Sequence, residues 1–443
     1  MAFENIVAIS SGMVASGVAV IRISGDSPLS VAEKMFKPNG KVKVKDFEPN
    51  KMYVGEILAK DFKDFGMCVY FKAPKSFTGE DVVEFHSHGG LAITKGILER
   101  ALECGARLAK NGEFTKRAFI NGKLSLASAE GLIDMINSES VAGAKAGYYL
   151  YREKLTNEII EMQNALTDCL AEIDADMDFP EEDLEIKATI SAKKNIESVI
   201  EKIEKLLATF KVGRTLKSGV KVAIVGKPNT GKSSLLNALL NYDKAIVSSI
   251  AGTTRDIVEG SIDINGVRFN LFDTAGIRET GDAIETLGVS LSKRTLEESQ
   301  LILFVLDGFD KNSEDDEIFN TIKDKNIITI LNKCDLGEVK DDRADIIISA
   351  KEKSNLESLR ALMFEKVIDI NLDGDFLCEE RHYEALIRAK ESLRKALDGI
   401  NNFTLDLISI DIKDGWDALG EVSGKTATEE IINNIFSKFC VGK

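Results

Sequence analysis

The spacing of apolar positions changes along the chain, and each change marks a different kind of element. Up to about residue 120, short β-rich runs such as Val18-Ala-Val-Ile-Arg-Ile23 and Val82-Val-Glu-Phe85 end in turns, the pattern of an α+β segment. Over 121–215 the period lengthens: Ile196, Val199, Ile200, Ile203, Leu206, Leu207 and Phe210 recur at three- and four-residue steps, one apolar face of an amphipathic helix. Residues 216–372 alternate β-rich runs (220–225, 268–273, 301–306, 327–331) with helical stretches, the βα pattern of a mostly parallel sheet. From 373 to 443 the chain turns helical again, with Tyr383, Leu386, Ile387, Leu393 and Leu397 on helical spacing. An α/β unit flanked by helical segments predicts an insertion. The expected plan is an α+β domain (1–120), a helical domain in two parts (121–215 and 373–443) and an α/β domain between them (216–372).

Composition narrows the function classes. A chain of 443 residues is long enough for several domains with their own cores. With 57 Lys plus Arg against 72 Asp plus Glu the net charge is −15, which argues against coating a nucleic acid over a broad face. Contact with a polyanion is therefore expected to be local, and residues 1–120 form the only positive stretch. The longest uninterrupted apolar run, Leu301–Leu306, is far short of a membrane span, and no signal peptide is expected. Six scattered Cys without a C-x-x-C pair read as reduced thiols in a cytoplasm. The acidic run 174–185 reads as a solvated turn. His86 and His88 fall on one side of a strand, but His382 is the only other histidine, too few for a zinc site.

The densest chemistry lies at 226–233, GKPNTGKS, which matches G-x-x-x-x-G-K-[ST] between a β-rich run and a helix. In such a loop backbone N–H groups wrap phosphates at a helix N-terminus, Lys232 reaches the β- and γ-phosphates and Ser233 ligates Mg²⁺. Asp273-Thr-Ala-Gly276 follows a β-rich run, so Asp273 can hold Mg²⁺ through water and the Gly276 N–H can meet the γ-phosphate. Asn332-Lys-Cys-Asp335 offers a carboxylate to both N–H donors of guanine's Watson–Crick edge, a pair that adenine lacks. Ser349-Ala-Lys351 can close over the base oxygen with a backbone N–H. Four motifs in this order specify GTP. After DTAG comes Ile277, which cannot orient an attacking water, so a polar group must come from elsewhere.

Together with these motifs, Ile21-Arg-Ile-Ser-Gly25, FTGEDVVEFHSHGG (77–90), GEFTKRAFINGKLSLASAEG (112–131), GTTRD (252–256) and the terminal Phe439-Cys-Val-Gly-Lys443 resemble the MnmE (TrmE) family of tRNA modification GTPases from end to end. The resemblance implies an N-terminal tetrahydrofolate-binding and dimerising domain, a helical domain made of two segments and an inserted Ras-like G domain. It implies a homodimer and an FAD-dependent partner, MnmG. Together they would place an aminomethyl or carboxymethylaminomethyl group on carbon 5 of a wobble uridine, with a methylene- or formyl-tetrahydrofolate as one-carbon donor. By the same resemblance Asn229, Ser248, Ile250 and Thr253 hold K⁺, Thr254 joins Ser233 at Mg²⁺, and Glu285 orients the water that Ile277 cannot. Position 248 is commonly Thr in that family, and the Ser here serves if the ligand is the carbonyl.

The GTP-binding set expected from motifs and resemblance together has five parts. They are Asn229, Thr230, Gly231, Lys232, Ser233 and Ser234; Ser248, Ser249, Ile250, Ala251, Gly252, Thr253 and Thr254; Asp273, Thr274, Ala275 and Gly276; Asn332, Lys333 and Asp335; and Ser349, Ala350 and Lys351. For the folate, the matching positions are Arg22, Glu84, Lys123 and Lys443, while the loop 11–17 departs from the family's Thr-Pro and Gly-rich pattern. Cys440, within the terminal FCVGK, is a candidate for the modification reaction, reacting covalently or merely packing, and the CVGK end is a poor lipidation signal. The alternatives are a ribosome-assembly GTPase, which usually carries a basic RNA-binding module, and a K⁺-stimulated GTPase coupled to membrane transport, which needs spans.

Overall fold

The computed structural model describes residues 4–178, 185–242, 260–273, 296–310, 313–367, 376–400 and 404–443. The chain divides into two units, one of Met1–Ile133, Tyr149–Ile203 and Glu384–Lys443, the other of Asp134–Tyr148 and Glu204–Tyr383. Most of the acidic run 174–185 lies outside the residues whose side chains are described.

The first unit opens with seven strands: β1 (Ile6–Ile9), β2 (Ser16–Gly25), β3 (Phe36–Pro38), β4 (Met52–Leu58), β5 (Lys63–Phe71), β6 (Asp81–Gly89) and β7 (Arg107–Leu108). They form one sheet in the order β3-β4-β5-β6-β2-β1-β7, antiparallel except for the β1–β7 pair. Successive side chains alternate between faces. Ile21 and Ile23 of β2 and Val83 and Phe85 of β6 therefore enter a core with helices Pro28–Met35 and Leu91–Glu103. Arg22, Glu84 and His86 fall on the other face. There Ile6 and Ala8 pack with Ala109 and Phe114 in a smaller core.

Helices Lys154–Asp178 and Leu405–Ser423 pair through the Gln163 amide, which donates to the Trp416 carbonyl at 3.0 Å, and the Trp416 indole, which donates to Thr167 Oγ1 at 3.0 Å. The C-terminal tail is tied down: Phe436 and Phe439 pack on Leu126 and Ala129, and Val441 bridges to Asn111. Gly442, at φ +104°, runs so close to the Ile9 carbonyl that an added Cβ would sit 2.1 Å from its oxygen.

The second unit holds β8 (Val220–Val225), β9 (Gly260–Ile264), β10 (Val267–Asp273), β11 (Leu301–Asp307), β12 (Ile327–Asn332) and β13 (Ile346–Ile347), in the order β13-β12-β11-β8-β10-β9. All pairs are parallel except β9–β10, which is antiparallel. This edge hairpin departs from the simple βα alternation. Its cause is the two-residue loop Asn265-Gly266, both in the left-handed region (φ 53° and 82°), the geometry of a tight hairpin turn. Every residue of β11 is buried, as befits a central parallel strand covered on both faces. Leu303 and Val305 face Leu235, Leu239, Leu359 and Met363; Ile302, Phe304 and Leu306 face Ile322 on the other side.

Lys217, at the end of helix Glu185–Ser218, joins two acids, donating to Asp134 Oδ1 at 2.8 Å and to Glu379. Burial and the neighbouring Glu379 charge push the Asp134 carboxyl up to about 8, while Lys217 is raised by the two acids despite its burial. Among the described residues no helix is long and apolar enough to cross a membrane.

Candidate functional site

Open parallel sheets place ligands beyond the carboxyl ends of their strands, and the motifs of the second unit gather there. The phosphate loop leaves β8 and enters helix Lys232–Tyr242. Only glycine fits at two of its positions. An added Cβ at Gly226 would lie 2.3 Å from the Val305 carbonyl oxygen, and one at Gly231 2.4 Å from the Asn332 amide nitrogen. Between them Asn229 takes a left-handed conformation, φ 61°. The loop is further pinned by Thr230, whose hydroxyl donates to the Lys227 carbonyl at 3.1 Å.

Lys232 Nζ donates to the carbonyls of Gly226 and Lys227, both at 2.8 Å, so its charge is held inside the loop's curl. Ser233 Oγ donates to Asp273 Oδ2 at 2.9 Å, which brings the two oxygen groups expected at Mg²⁺ together. This hard-oxygen pair beside a lysine suits a magnesium–phosphate ligand. Ser234 follows on the same helix.

Asn332 ties the phosphate loop to the base-reading segments: its amide donates to the Thr230 carbonyl at 2.9 Å and its Oδ1 accepts from the Ala350 N–H at 3.0 Å. The Ala350 N–H is thus engaged within the protein. Asp335 Oδ1 accepts from Ser349 Oγ at 2.6 Å, and that bond lowers the pKa of this exposed carboxyl, favouring the ionised acceptor that guanine's donors need. Lys333, at φ 73°, pairs with Asp307 Oδ2 at 2.6 Å, while Lys351 is exposed. Ser248, Ser249, Ile250, Ala251, Gly252, Thr253, Thr254, Thr274, Ala275, Gly276, Ile277 and Glu285 lie outside the described residues.

A second cluster sits on the sheet of the first unit. Arg22 and Glu84 are direct partners across β2 and β6, and Arg22 Nε donates to Glu84 Oε1 at 2.7 Å. The guanidinium also lies 5.2 Å from the Phe77 ring centroid and 5.7 Å from that of Phe114. His86 Nε2 stands 3.4 Å from Glu84 Oε2. Burial by itself would raise the Glu84 carboxyl, but the His86 hydrogen bond and the Arg22 charge outweigh it and the net shift is downward.

Lys123 joins through the segment 74–80. Its Nζ donates to the Pro74 carbonyl at 3.0 Å, and its stem packs against Gly79, where φ is +79°. That segment is braced from below: Ser24 Oγ donates to Glu80 Oε2 at 2.7 Å, and buried Arg117 bonds both Glu80 and Glu113 at 3.0 Å. The tail brings Lys443 to the end of β1, since Gly442 lies on Ile9 and Ile9 pairs with Ile21, next to Arg22. Cys440 is exposed, and its carbonyl accepts from the Gly112 N–H at 3.4 Å. His88 turns to Asp64 at 2.7 Å, so the two strand histidines have different partners.

Sequence reading missed the groups that brace these sites. His86 was weighed only as a metal ligand, and Lys227, Asp307, Asp310 and Asp315 were not singled out. One signal was present, an aspartate ending the otherwise apolar β11.

Comparison with known proteins matches residues 126–440 to a family model described as "MnmE helical domain" and residues 5–123 to one described as "GTP-binding protein TrmE N-terminus". The chain is 41% identical to "tRNA modification GTPase MnmE" of Thermoanaerobacter pseudethanolicus, over 100% of each chain. It is 39% identical to the protein of the same name from Caldicellulosiruptor saccharolyticus, again over 100% of each. Among solved structures, an Era variant from Aquifex aeolicus bound to GDP.AlF4- is 31% identical over 39% of this chain and 65% of that one, with a TM-score of 0.27.

Proposed function

The chain belongs to the MnmE family of tRNA modification GTPases, and from that premise we propose that it couples GTP hydrolysis to modification of a wobble uridine at carbon 5. The observation that carries the nucleotide half is the convergence of Lys232, Ser233, Asp273 and Asn332 at the carboxyl end of the parallel sheet. On binding GTP, Lys232 exchanges the two loop carbonyls for β- and γ-phosphate oxygens, a charge-assisted contact stronger than the neutral ones it leaves. Asp335, already ionised and oriented by Ser349, accepts the two donors of guanine. A base without them leaves the carboxylate unpaired, the basis of discrimination against ATP. Ser233 and Thr254 hold Mg²⁺, which neutralises phosphate charge. Asn229, with Ser248, Ile250 and Thr253, holds K⁺, and Glu285 orients the attacking water. Matched KCl and NaCl turnover tests this: hydrolysis strong in K⁺ and poor in Na⁺ is expected, and equal rates contradict it.

For the first unit, the supporting observation is an ionised carboxylate beside a stacked guanidinium, with two further lysines at neighbouring segments. Glu84 suits the N–H edge of a pterin, and Arg22, Lys123 and Lys443 suit the carboxylates of a folate's glutamate tail. A methylene- or formyl-tetrahydrofolate bound here supplies the one-carbon unit, and Cys440 lies on the segment that leads to Lys443. The domains run 1–120 (folate binding and dimerisation), 121–215 and 373–443 (helical) and 216–372 (GTPase). The protein works as a homodimer in the cytoplasm with an FAD-dependent partner, MnmG, and touches tRNA locally, consistent with its net charge of −15. Equilibrium dialysis with 5-formyl-tetrahydrofolate checks the site, and unchanged affinity in Arg22→Ala contradicts it.

A further inference from the structure

The phosphate loop contains a second lysine that points away from the curl holding Lys232. Lys227 follows the first glycine of the motif and is 3% exposed. Its Nζ lies 3.1 Å from Asp315 Oδ2 and 3.4 Å from Asp310 Oδ2, and it also donates to the Asp310 carbonyl. Asp315 sits in the first turn of helix Ser313–Ile322 and is fully buried, whereas the Asp310 side chain is 70% exposed. A buried ammonium needs a partner, because a lone charge in the interior costs several kcal/mol. Here the partner belongs to the segment that leaves β11.

The same segment reaches the base-reading side. Asp307, the last residue of β11, pairs with Lys333, and the Gly308 N–H donates to the Asn332 carbonyl at 3.1 Å. Asp310 and Asp315 therefore hold the phosphate loop, while Asp307 and Gly308 hold the NKCD segment. The Lys227 carbonyl is also the point on which both Lys232 Nζ and the Thr230 hydroxyl rest. When Lys232 turns to a phosphate, the loop loses that internal bond, while the Lys227 side chain still ties it to the segment after β11.

We propose that Lys227 is a positioning residue for nucleotide binding, holding the phosphate loop in its gripping shape through Asp315 and, more weakly, Asp310. It does not touch the nucleotide. Its effect is to slow release of either GDP or GTP, since it preserves the loop that cradles the phosphates common to both. The proposal rests on the guanine-nucleotide site described above. Binding of a fluorescent GDP analogue to the unaltered protein tests that site first and separately.

The experiment is a double-mutant cycle on the full-length protein, reading dissociation of the fluorescent GDP analogue and melting of the nucleotide-free protein. Lys227→Met and Asp315→Asn should each speed release about tenfold or more, the double variant should release no faster than the worse single variant, and Lys227→Arg should stay near wild type. Coupling of this kind is the mark of residues acting as one unit. If Asp315→Asn leaves release unchanged while Lys227→Met speeds it, Lys227 contacts the nucleotide directly and the proposal fails. It also fails if faster release only tracks a lower melting temperature across the variants. Should the buried variants not fold, Asp310→Ala changes an exposed side chain; release a few-fold faster supports the proposal, and an unchanged rate overturns it.

Discussion

The phosphate loop of the second unit presents mostly backbone to its ligand, whereas the Arg22 cluster of the first presents side chains. In the loop, Gly226 and Gly231 are fixed by close approach to neighbouring strands and segments, and Thr230 and Asn332 brace the curve. In the cluster, the sheet is the support, and the proposed folate recognition rests on Arg22, Glu84, Lys123 and Lys443, contributed by strands, a turn and the chain terminus. A backbone site tolerates little change in shape and depends on a few contiguous residues. A side-chain site can lose one group and keep the rest. The two should therefore fail differently, the first steeply and the second in steps.

The largest effect is expected from Lys232→Ala, which removes the cation at the centre of the loop. Loss of one transition-state donor typically costs about 10²–10³-fold in rate, and GTP hydrolysis in KCl should fall at least that far while folate binding stays unchanged. A parallel loss of folate binding would break the comparison by showing that the two sites do not act separately. Next, Asp335→Asn should move preference from guanine toward xanthine. Charged hydrogen bonds contribute about 1.5–3 kcal/mol each, so GTP affinity should drop about 10–100-fold. Competition of GTP and XTP for the site measures it, and unaltered GTP affinity would remove Asp335 from the base pocket.

In the Arg22 cluster a smaller step is expected. Glu84→Gln keeps the shape and removes the charge, so tetrahydrofolate affinity should fall about tenfold by equilibrium dialysis, with GTP turnover retained. A total loss would mean that the side-chain site is as brittle as the loop.

The last contrast concerns pH. The Asp134 carboxyl stands at about 8 when folded, against about 3.9 in an unfolded chain. Between these values the folded protein holds a proton that the unfolded chain has released, so this group's contribution to stability declines as pH rises from about 4 to about 8. Asp134→Asn should flatten that decline in melts of the second unit. Glu113 behaves oppositely in the first unit. Burial would raise it, but hydrogen bonds from Arg107, the Lys110 N–H and Arg117 hold it at about 2. Its contribution is present above about pH 4 and is lost as pH falls toward 2. A first unit that loosens in acid and a second that loosens as pH rises toward about 8 would sharpen the contrast; pH-independent melting of both would erase it.

How much of each site could be read from the chain follows from how each is built. GKPNTGKS and NKCD are contiguous because one loop forms each contact, and the β-rich runs at 220–225, 268–273, 301–306 and 327–331 all appear as strands within a residue or two. Arg22 and Glu84 meet only through strand register, 62 residues apart, so nothing local in either segment marks the pair, and only family resemblance pointed to it. Lys227 stands at an unspecified position of G-x-x-x-x-G-K-[ST], and its ion-pair partner Asp315 lies 88 positions further along, so nothing local marks the pair. The β9–β10 hairpin was legible in principle, since Asn-Gly between β-rich runs is a strong turn signal, but the surrounding βα rhythm concealed it.

The most direct test joins both sites in one readout. A strain lacking this gene and its wobble uridine modification is complemented with the wild-type gene, Lys232→Ala or Glu84→Gln, and nucleosides from digested tRNA are quantified by mass spectrometry. The wild-type gene should restore the modified uridine, Lys232→Ala should leave it absent, and Glu84→Gln should restore it only in part. Unmodified tRNA with the wild-type gene, or full modification with Lys232→Ala, would contradict a protein that uses GTP hydrolysis to modify tRNA.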